Sequence, residues 1–372
     1  MKTLAKSRVL VTRFPYSCQW GGEELHTLTL VKQWDKRGIS SFFLGSCPLL
    51  LKAFKDAHFE THKAWLSKPP VSKGHLLLFT LLSPLLFLWA GYLLSQARRR
   101  WKIDTVFMLS FGEKLLMTPW ARLFGLKIIW IEHARIGRWL TQNPWRGFYR
   151  LWSRWAQVVV TSHAMIEQVK PSLRDGQSPV AISCGVMLDK TSPLREDLKS
   201  FLKEGFSVLC VARLTMDKGV DMLVHAVHSK PEIRLILVGE GPLVNELKKC
   251  SDPTRVRFIP SLPRGELMDL YRHADLFVLP SREMDPFGMA AAEAMSFATP
   301  VLVTSACGIS QDLSHEREAW IVEPRRAEID KAIKRLMKDR ALRLRLGQAG
   351  QRFVKKHYAL EKMIDAFDSL LV

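Results

Sequence analysis

The stretch Leu279-Pro280-Ser281-Arg282-Glu283-Met284-Asp285-Pro286-Phe287-Gly288-Met289-Ala290-Ala291-Ala292-Glu293-Ala294-Met295, continuing to Thr299-Pro300-Val301, decides how this chain folds. The apolar run Leu276-Phe277-Val278-Leu279 before it is strand-like. Pro280 and Pro286 exclude regular structure behind that run, and Met289 to Met295 are strong helix formers after Phe287-Gly288. Strand, loop and helix in this order are the unit of a parallel α/β sheet. Two carboxylates bracket the turn: Asp285 just before the helix and Glu293 a little over one turn inside it. Both can face a ligand laid across the helix N-terminus, where unpaired N–H groups attract anions. An ordinary strand-loop-helix unit reads the same way, so the flanking sequence has to decide.

Upstream, Phe206-Ser-Val-Leu-Cys-Val-Ala212 opens a second sheet and leads into Arg213-Leu-Thr-Met-Asp-Lys218-Gly219-Val-Asp221, which places two cations on the first strand-to-helix loop. Arg213 and Lys218 are positioned to hold phosphate. Leu235 to Val238 with Gly239-Glu-Gly-Pro242 and Arg257-Phe-Ile-Pro260 supply further strands, and Gly265 to Arg272 a helix. The polar, proline-containing segment 191–203 reads as a linker, with a second domain over 204–354 and a final helix, 355–372, packing back toward the first domain.

The first domain, 1–190, has the same rhythm. Arg8 to Phe14, Ser40 to Leu44, Thr105 to Leu109, Leu126 to Ile131, Val158 to Ser162 and Val180 to Gly185 read as strands of a parallel sheet with helices on its faces. Gly21-Gly22 lets backbone approach a ligand at the mouth of the first strand, or simply makes a turn. His133 follows a strand directly, at the end where α/β ligands collect. Gly74 to Ala97 has no charged residue and is long enough to span a bilayer. Spanning would separate two strands of one sheet, which favours a helix pair broken near Pro84 and partly lying in the membrane surface. Trp145, Tyr149 and Trp152, with Arg146, Arg150 and Arg154, give one helix an aromatic face beside a cationic one. That pattern suits a lipid headgroup layer or a core face beside a solvated one.

Charge sharpens the division. Of the 372 residues, those through Lys190 hold 27 Lys and Arg against 11 Asp and Glu, and eleven of the twelve tryptophans. Basic charge with interfacial aromatics points to an anionic membrane surface; no nucleic-acid motif accompanies it, so no nucleic-acid partner is expected. The charged segment Met1 to Arg8 runs straight into a strand without the apolar core of a secretion signal. The six cysteines are widely spaced, without Cys-x-x-Cys, and read as buried thiols of a reducing compartment.

The second half resembles family 4 of the retaining nucleotide-sugar glycosyltransferases. The signatures are Val-Ala-Arg213-Leu-x3-Lys218-Gly219-Val-Asp, Leu-Val-Gly239-Glu-Gly-Pro, Glu266-Leu-x3-Tyr271-x2-Ala-Asp, Leu-Pro-Ser281 and Asp285-Pro-Phe-Gly-x4-Glu293-Ala-Met. The resemblance implies a GT-B fold, two Rossmann-like doubly wound parallel-sheet domains facing across a cleft. It implies donor contacts from Arg213, Lys218, Gly239, Asp285, Phe287, Gly288, Met289 and Glu293, with Glu293 on the ribose, Asp285 on the sugar, and His133 lining the reaction centre with Gly21 and Gly22 on the acceptor side. The departures are Asp285 for the family's glutamate, Ala298 and Pro260 for glycines, and Cys307-Gly308-Ile-Ser310-Gln311 for a Gly-Gly-x-x-Glu loop.

No Asp-x-Asp recruits a metal, so no metal or other cofactor is expected, and the cations Arg213 and Lys218 with the helix N-terminus would neutralise the leaving diphosphate. The expected function is sugar transfer from a nucleotide-sugar donor to a lipid-linked or glycan acceptor, by a cytoplasmic protein peripheral at the inner face of the membrane. The alternative is a non-catalytic sugar-nucleotide or membrane-binding protein of the same fold.

Overall fold

A computed structural model describes residues 7–16, 18, 21–133, 137–187 and 191–372. The start of the charged N-terminal segment, Trp20 and the Leu188–Lys190 end of the first half lie outside them. The chain divides into two compact units, 1–183 with 363–372, and 184–362.

The first unit is built on seven parallel strands: β1 (Arg8–Arg13), β2 (Ser40–Gly45), β3 (Thr61–Lys63), β4 (Thr105–Met108), β5 (Lys127–Glu132), β6 (Gln157–Val160) and β7 (Val180–Ala181). Their order is β3-β2-β1-β4-β5-β6-β7, with Val9 beside Ser41 on one flank and Thr105 on the other. The near-continuous Val, Ile, Leu and Phe of these strands are what burial on both faces requires. The second unit has six: β8 (Phe206–Val211), β9 (Ile233–Val238), β10 (Val256–Ile259), β11 (Leu276–Leu279), β12 (Val301–Thr304) and β13 (Trp320–Val322), ordered β10-β9-β8-β11-β12-β13. In both sheets the order reverses beside the first strand, which parts the loops there and opens a crevice at the carboxyl ends.

Three expectations are corrected. Segment 191–203 is no linker: Glu196–Lys203 is a helix of the second unit, and Leu194, Leu198, Phe201 and Leu202 are buried in that unit's core. Leu198, Phe201 and Leu202 share one apolar face of that helix, and Leu194 lies just ahead of it. Residues 73–101 form one helix, Lys73–Trp101, not a pair. Pro84 removes the N–H that would reach the Thr80 carbonyl, and the Ser83 hydroxyl donates to that carbonyl at 2.8 Å instead. Not every thiol is buried, since Cys250 is exposed and Cys18 half-buried.

At the C-terminus, helix Arg340–His357 belongs to the second unit, and Met363–Val372, most of helix Leu360–Ser369, to the first. There Trp34 Nε1 donates to Asp368 at 2.9 Å.

Candidate functional site

In the second unit the loops after β8 and β11 flank the point where the strand order reverses. The first carries Arg213 and Lys218, the second the Pro280–Gly288 turn. They are stitched together by the Asp217 carbonyl, which accepts the Arg282 and Glu283 N–H groups at 2.8 and 3.1 Å, and by an ion pair between Arg282 and Asp221. Across the crevice Lys218 Nζ donates to Asp285 Oδ2 at 2.6 Å, both side chains largely buried. The Asp285 N–H donates to the Ala306 carbonyl at 2.9 Å and its carbonyl accepts the Gly308 N–H at 2.8 Å, so the carboxylate is held by the backbone on both sides.

Gly288 caps the helix Met289–Ser296 at φ +99°, and a Cβ there would lie 2.5 Å from Cys307 Sγ. Only glycine fits this entry, which turns the first N–H groups of the helix toward the crevice. Phe287 is buried edge-on against Tyr358, and Met289 is half-buried in the first turn. Gly239 packs against the Ala212 carbonyl, so it serves the close approach of the loops after β8 and β9. Arg213 is 57% exposed, with the Asp217 carboxylate 4.0 Å away, and stands ready to meet an anion.

Glu293 is buried and doubly held: Tyr271 donates its hydroxyl to Oε2 at 3.0 Å, and Arg264 approaches Oε1 at 2.7 Å. Burial and the Glu293 charge keep the Tyr271 proton well above its usual range, so the tyrosine is a donor. Arg264 was not singled out from the sequence, although Tyr271 and Glu266 stood in a recognised signature. Among the described residues no three His, Cys, Asp or Glu side chains gather as a metal site.

In the first unit His133 follows β5. The backbone before it is clamped by Lys114, which donates to the Ile131 carbonyl at 2.8 Å and to Glu132 at 2.6 Å. His133 Nε2 lies 3.1 Å from His26 Nδ1, and its Nδ1 4.0 Å from Glu23 Oε1. Gly21 and Gly22 start the helix Gly22–Lys36 that carries Glu23, Glu24 and His26. Buried Arg13, at the end of β1, pairs with Glu24 at 2.5 Å and Glu23 at 3.2 Å. This cluster was missed; the available signal was the Glu23-Glu24 pair directly behind Gly21-Gly22.

Of the expected membrane residues Tyr149 is a correction. It is fully buried and donates its hydroxyl to Glu132 at 2.7 Å, because its position on helix Arg146–Ser153 turns it inward. Trp145 is half-buried, with Nε1 donating to Thr80 at 3.0 Å; Trp152 is half-buried too. Arg146 donates to the Pro171 carbonyl at 2.8 Å, Arg150 pairs with Asp175 at 2.5 Å, and exposed Arg154 lies 4.3 Å over the Trp155 ring. The larger apolar surface is on helix Lys73–Trp101, which is long and apolar enough to cross a membrane. One face packs on helix Phe111–Leu123, where Trp120 donates to the Phe87 carbonyl at 2.8 Å. The other exposes Leu77, Leu81, Leu85, Leu88 and Tyr92.

Residues 195–353 match the family described as Glycosyl transferases group 1, and this part of the chain is a domain of that family. Mannosylfructose-phosphate synthase of Agrobacterium fabrum is 38% identical over 137 residues, which are 32% of this chain and 30% of that protein. The chain thus spans under a third of that relative's length. GDP-mannose-dependent alpha-(1-6)-phosphatidylinositol monomannoside mannosyltransferase of Mycobacterium tuberculosis is 26% identical over 278 residues, 68% of this chain and 71% of the relative. A crystal structure of HepE from Anabaena in complex with UDP matches with a TM-score of 0.81 at 18% identity, covering 98% of this chain and 99% of that one. The fold is GT-B.

Proposed function

We propose that the protein is a retaining, metal-independent glycosyltransferase that moves a sugar from a nucleotide-sugar donor to a lipid-linked or cell-envelope glycan acceptor at the inner face of the cytoplasmic membrane. The observation that carries this reading is the Lys218–Asp285 pair set across the crevice beside exposed Arg213 and the helix entered through Gly288. A nucleotide sugar has an anionic diphosphate joined to a hydroxylated ring. The cations and helix N-terminus suit the first part, the carboxylate the second.

In the reaction the bond from the sugar's anomeric carbon to the diphosphate oxygen breaks, its electron pair leaving with the diphosphate. Lys218 and Arg213 neutralise that charge as it develops. The acceptor hydroxyl attacks from the same face, its oxygen bonds to the anomeric carbon, and its proton passes to the departing phosphate oxygen. Glu293, which Arg264 and Tyr271 hold in place, takes the ribose hydroxyls in this reading. The exposed leucine face of helix Lys73–Trp101, between Lys68 and Lys73 at one end and Arg98, Arg99 and Arg100 at the other, supports contact with an anionic membrane.

The test is transfer from a panel of nucleotide sugars, UDP-glucose and GDP-mannose among them, to a bacterial membrane lipid extract in EDTA. Product with at least one donor, lost in Glu293→Gln while circular dichroism stays native, is the expected result. Full turnover by Glu293→Gln would refute the assigned site.

A further inference from the structure

His26 and His133 meet edge to face at the mouth of β1 and β5, ring centroids 5.0 Å apart and planes at 69°. The 3.1 Å contact between His26 Nδ1 and His133 Nε2 needs one proton between the two nitrogens. Neither ring is charged near neutrality. Burial lowers His26 to about 4, and burial together with His26, Arg13 and Lys114 holds His133 well below its usual value. Each imidazole therefore carries one proton, which leaves two arrangements.

If His133 donates, His26 must carry its own hydrogen on Nε2, which is buried without a partner among the described residues, and His133 Nδ1 turns a bare lone pair toward Glu23. If His26 donates, His133 carries its hydrogen on Nδ1, which is likewise buried without a hydrogen-bond partner among the described residues, and directs it at Glu23 Oε1, 4.0 Å away. Burial raises Glu23 to about 7, against the pull of Arg13, with Glu24 adding repulsion; above that pH the carboxylate is charged and favours a donor opposite it. The same 4.0 Å gap fits one bridging hydroxyl, about 2.8 Å from each end, accepting from His133 and donating to Glu23.

We propose that His26 is a positioning residue that fixes His133 as a hydrogen-bond donor through Nδ1–H, so that His133 and Glu23 together hold a sugar hydroxyl. The hydroxyl rests on the function proposed above; the proton arrangement does not. In this arrangement His133 is unable to serve as the base for the acceptor, which agrees with proton transfer to the leaving phosphate.

The test is long-range 1H–15N NMR of the full chain with 15N-labelled histidine, without ligand, at pH 8. His133 and His26 are expected to show protonated Nδ1 and bare Nε2. His26→Phe should return His133 to the Nε2–H form, while His26→Asn, whose amide nitrogen stands where Nδ1 was, should preserve Nδ1–H. An Nε2–H form of His133 in the wild type, or an unchanged tautomer in His26→Phe, would overturn the arrangement. Once a donor is found, His26→Phe should lower kcat about tenfold with donor KM within about twofold, and His26→Asn should restore it. An altered tautomer with unchanged kcat would remove the hydroxyl role and leave the proton arrangement standing.

Discussion

Lys218 Nζ lies 2.6 Å from Asp285 Oδ2, joining the loop after β8 to the loop after β11 at the point where the strand order of the second sheet reverses. Both side chains are largely buried, so removing one charge strands the other. Lys218→Met is expected to cost about 1–3 kcal/mol in urea denaturation. Asp285→Asn in the Lys218→Met background should recover much of that loss. Additive losses in the double variant would show that the pair is not coupled.

Ala298 stands where the related family has glycine, and its φ is +60°. A left-handed conformation strains any residue with a Cβ, whereas glycine adopts it freely at some entropic cost in the unfolded chain. Ala298→Gly should stabilise the protein by about 0.5–1 kcal/mol, read as a rise in Tm. A fall in Tm would show that surrounding contacts already absorb the strain.

His26 binds a proton at about 4 when folded and at 6.5 when unfolded. Below pH 6.5 the unfolded chain takes up a proton that the native state refuses, so stability is lost as pH falls from 6.5 toward 4, by about 3 kcal/mol at most. Glu23, raised to about 7, acts in the opposite sense over an overlapping range. Comparing wild type with His26→Phe isolates the histidine. Denaturation midpoints between pH 7 and 4.5 should fall more steeply for wild type, and parallel curves would contradict the assigned burial effect.

Leu81 and Leu85 are 70% and 67% exposed on successive turns of helix Lys73–Trp101. Placing two leucines in a bilayer interface is worth about 3–6 kcal/mol together. Leu81→Asp/Leu85→Asp should therefore reduce pelleting with phosphatidylglycerol-containing vesicles more than 100-fold in affinity, and wild-type binding should weaken with salt. Equal pelleting of wild type and variant would exclude this face as the contact.

The second unit's site was legible because its chemistry sits on loops directly after apolar strands, which carry Arg213, Lys218 and Asp285, and in the helix that the second loop enters, which carries Glu293. The strand order that brings Lys218 to Asp285 was not, since it depends on registers between strands far apart in the chain. In the first unit the apolar length of residues 74–97 was plain, but Pro84 was overweighted because the Ser83 hydroxyl that replaces the lost backbone donor is a local detail. Tyr149 shares its spacing with Trp145 and Trp152, and a few tens of degrees of helix phase decide that it faces Glu132 rather than lipid. Segment 191–203 carried its helix signal at Leu194, Leu198, Phe201 and Leu202, masked by proline and charge. The Arg13, Glu23, Glu24 and His26 cluster around His133 joins three separate elements, and its one local mark, the Glu23-Glu24 pair behind Gly21-Gly22, does not show that the pair meets Arg13 and His133.

The central claim is that the crevice beside β8 and β11 holds a nucleotide sugar through its diphosphate. Calorimetric titration of UDP and GDP into the purified protein in EDTA tests it most directly. At least one nucleotide should bind, with affinity falling more than tenfold in Lys218→Ala and in Arg213→Ala, and binding should weaken with salt. Absence of binding by both, or equal affinity in wild type and both variants, would contradict the account.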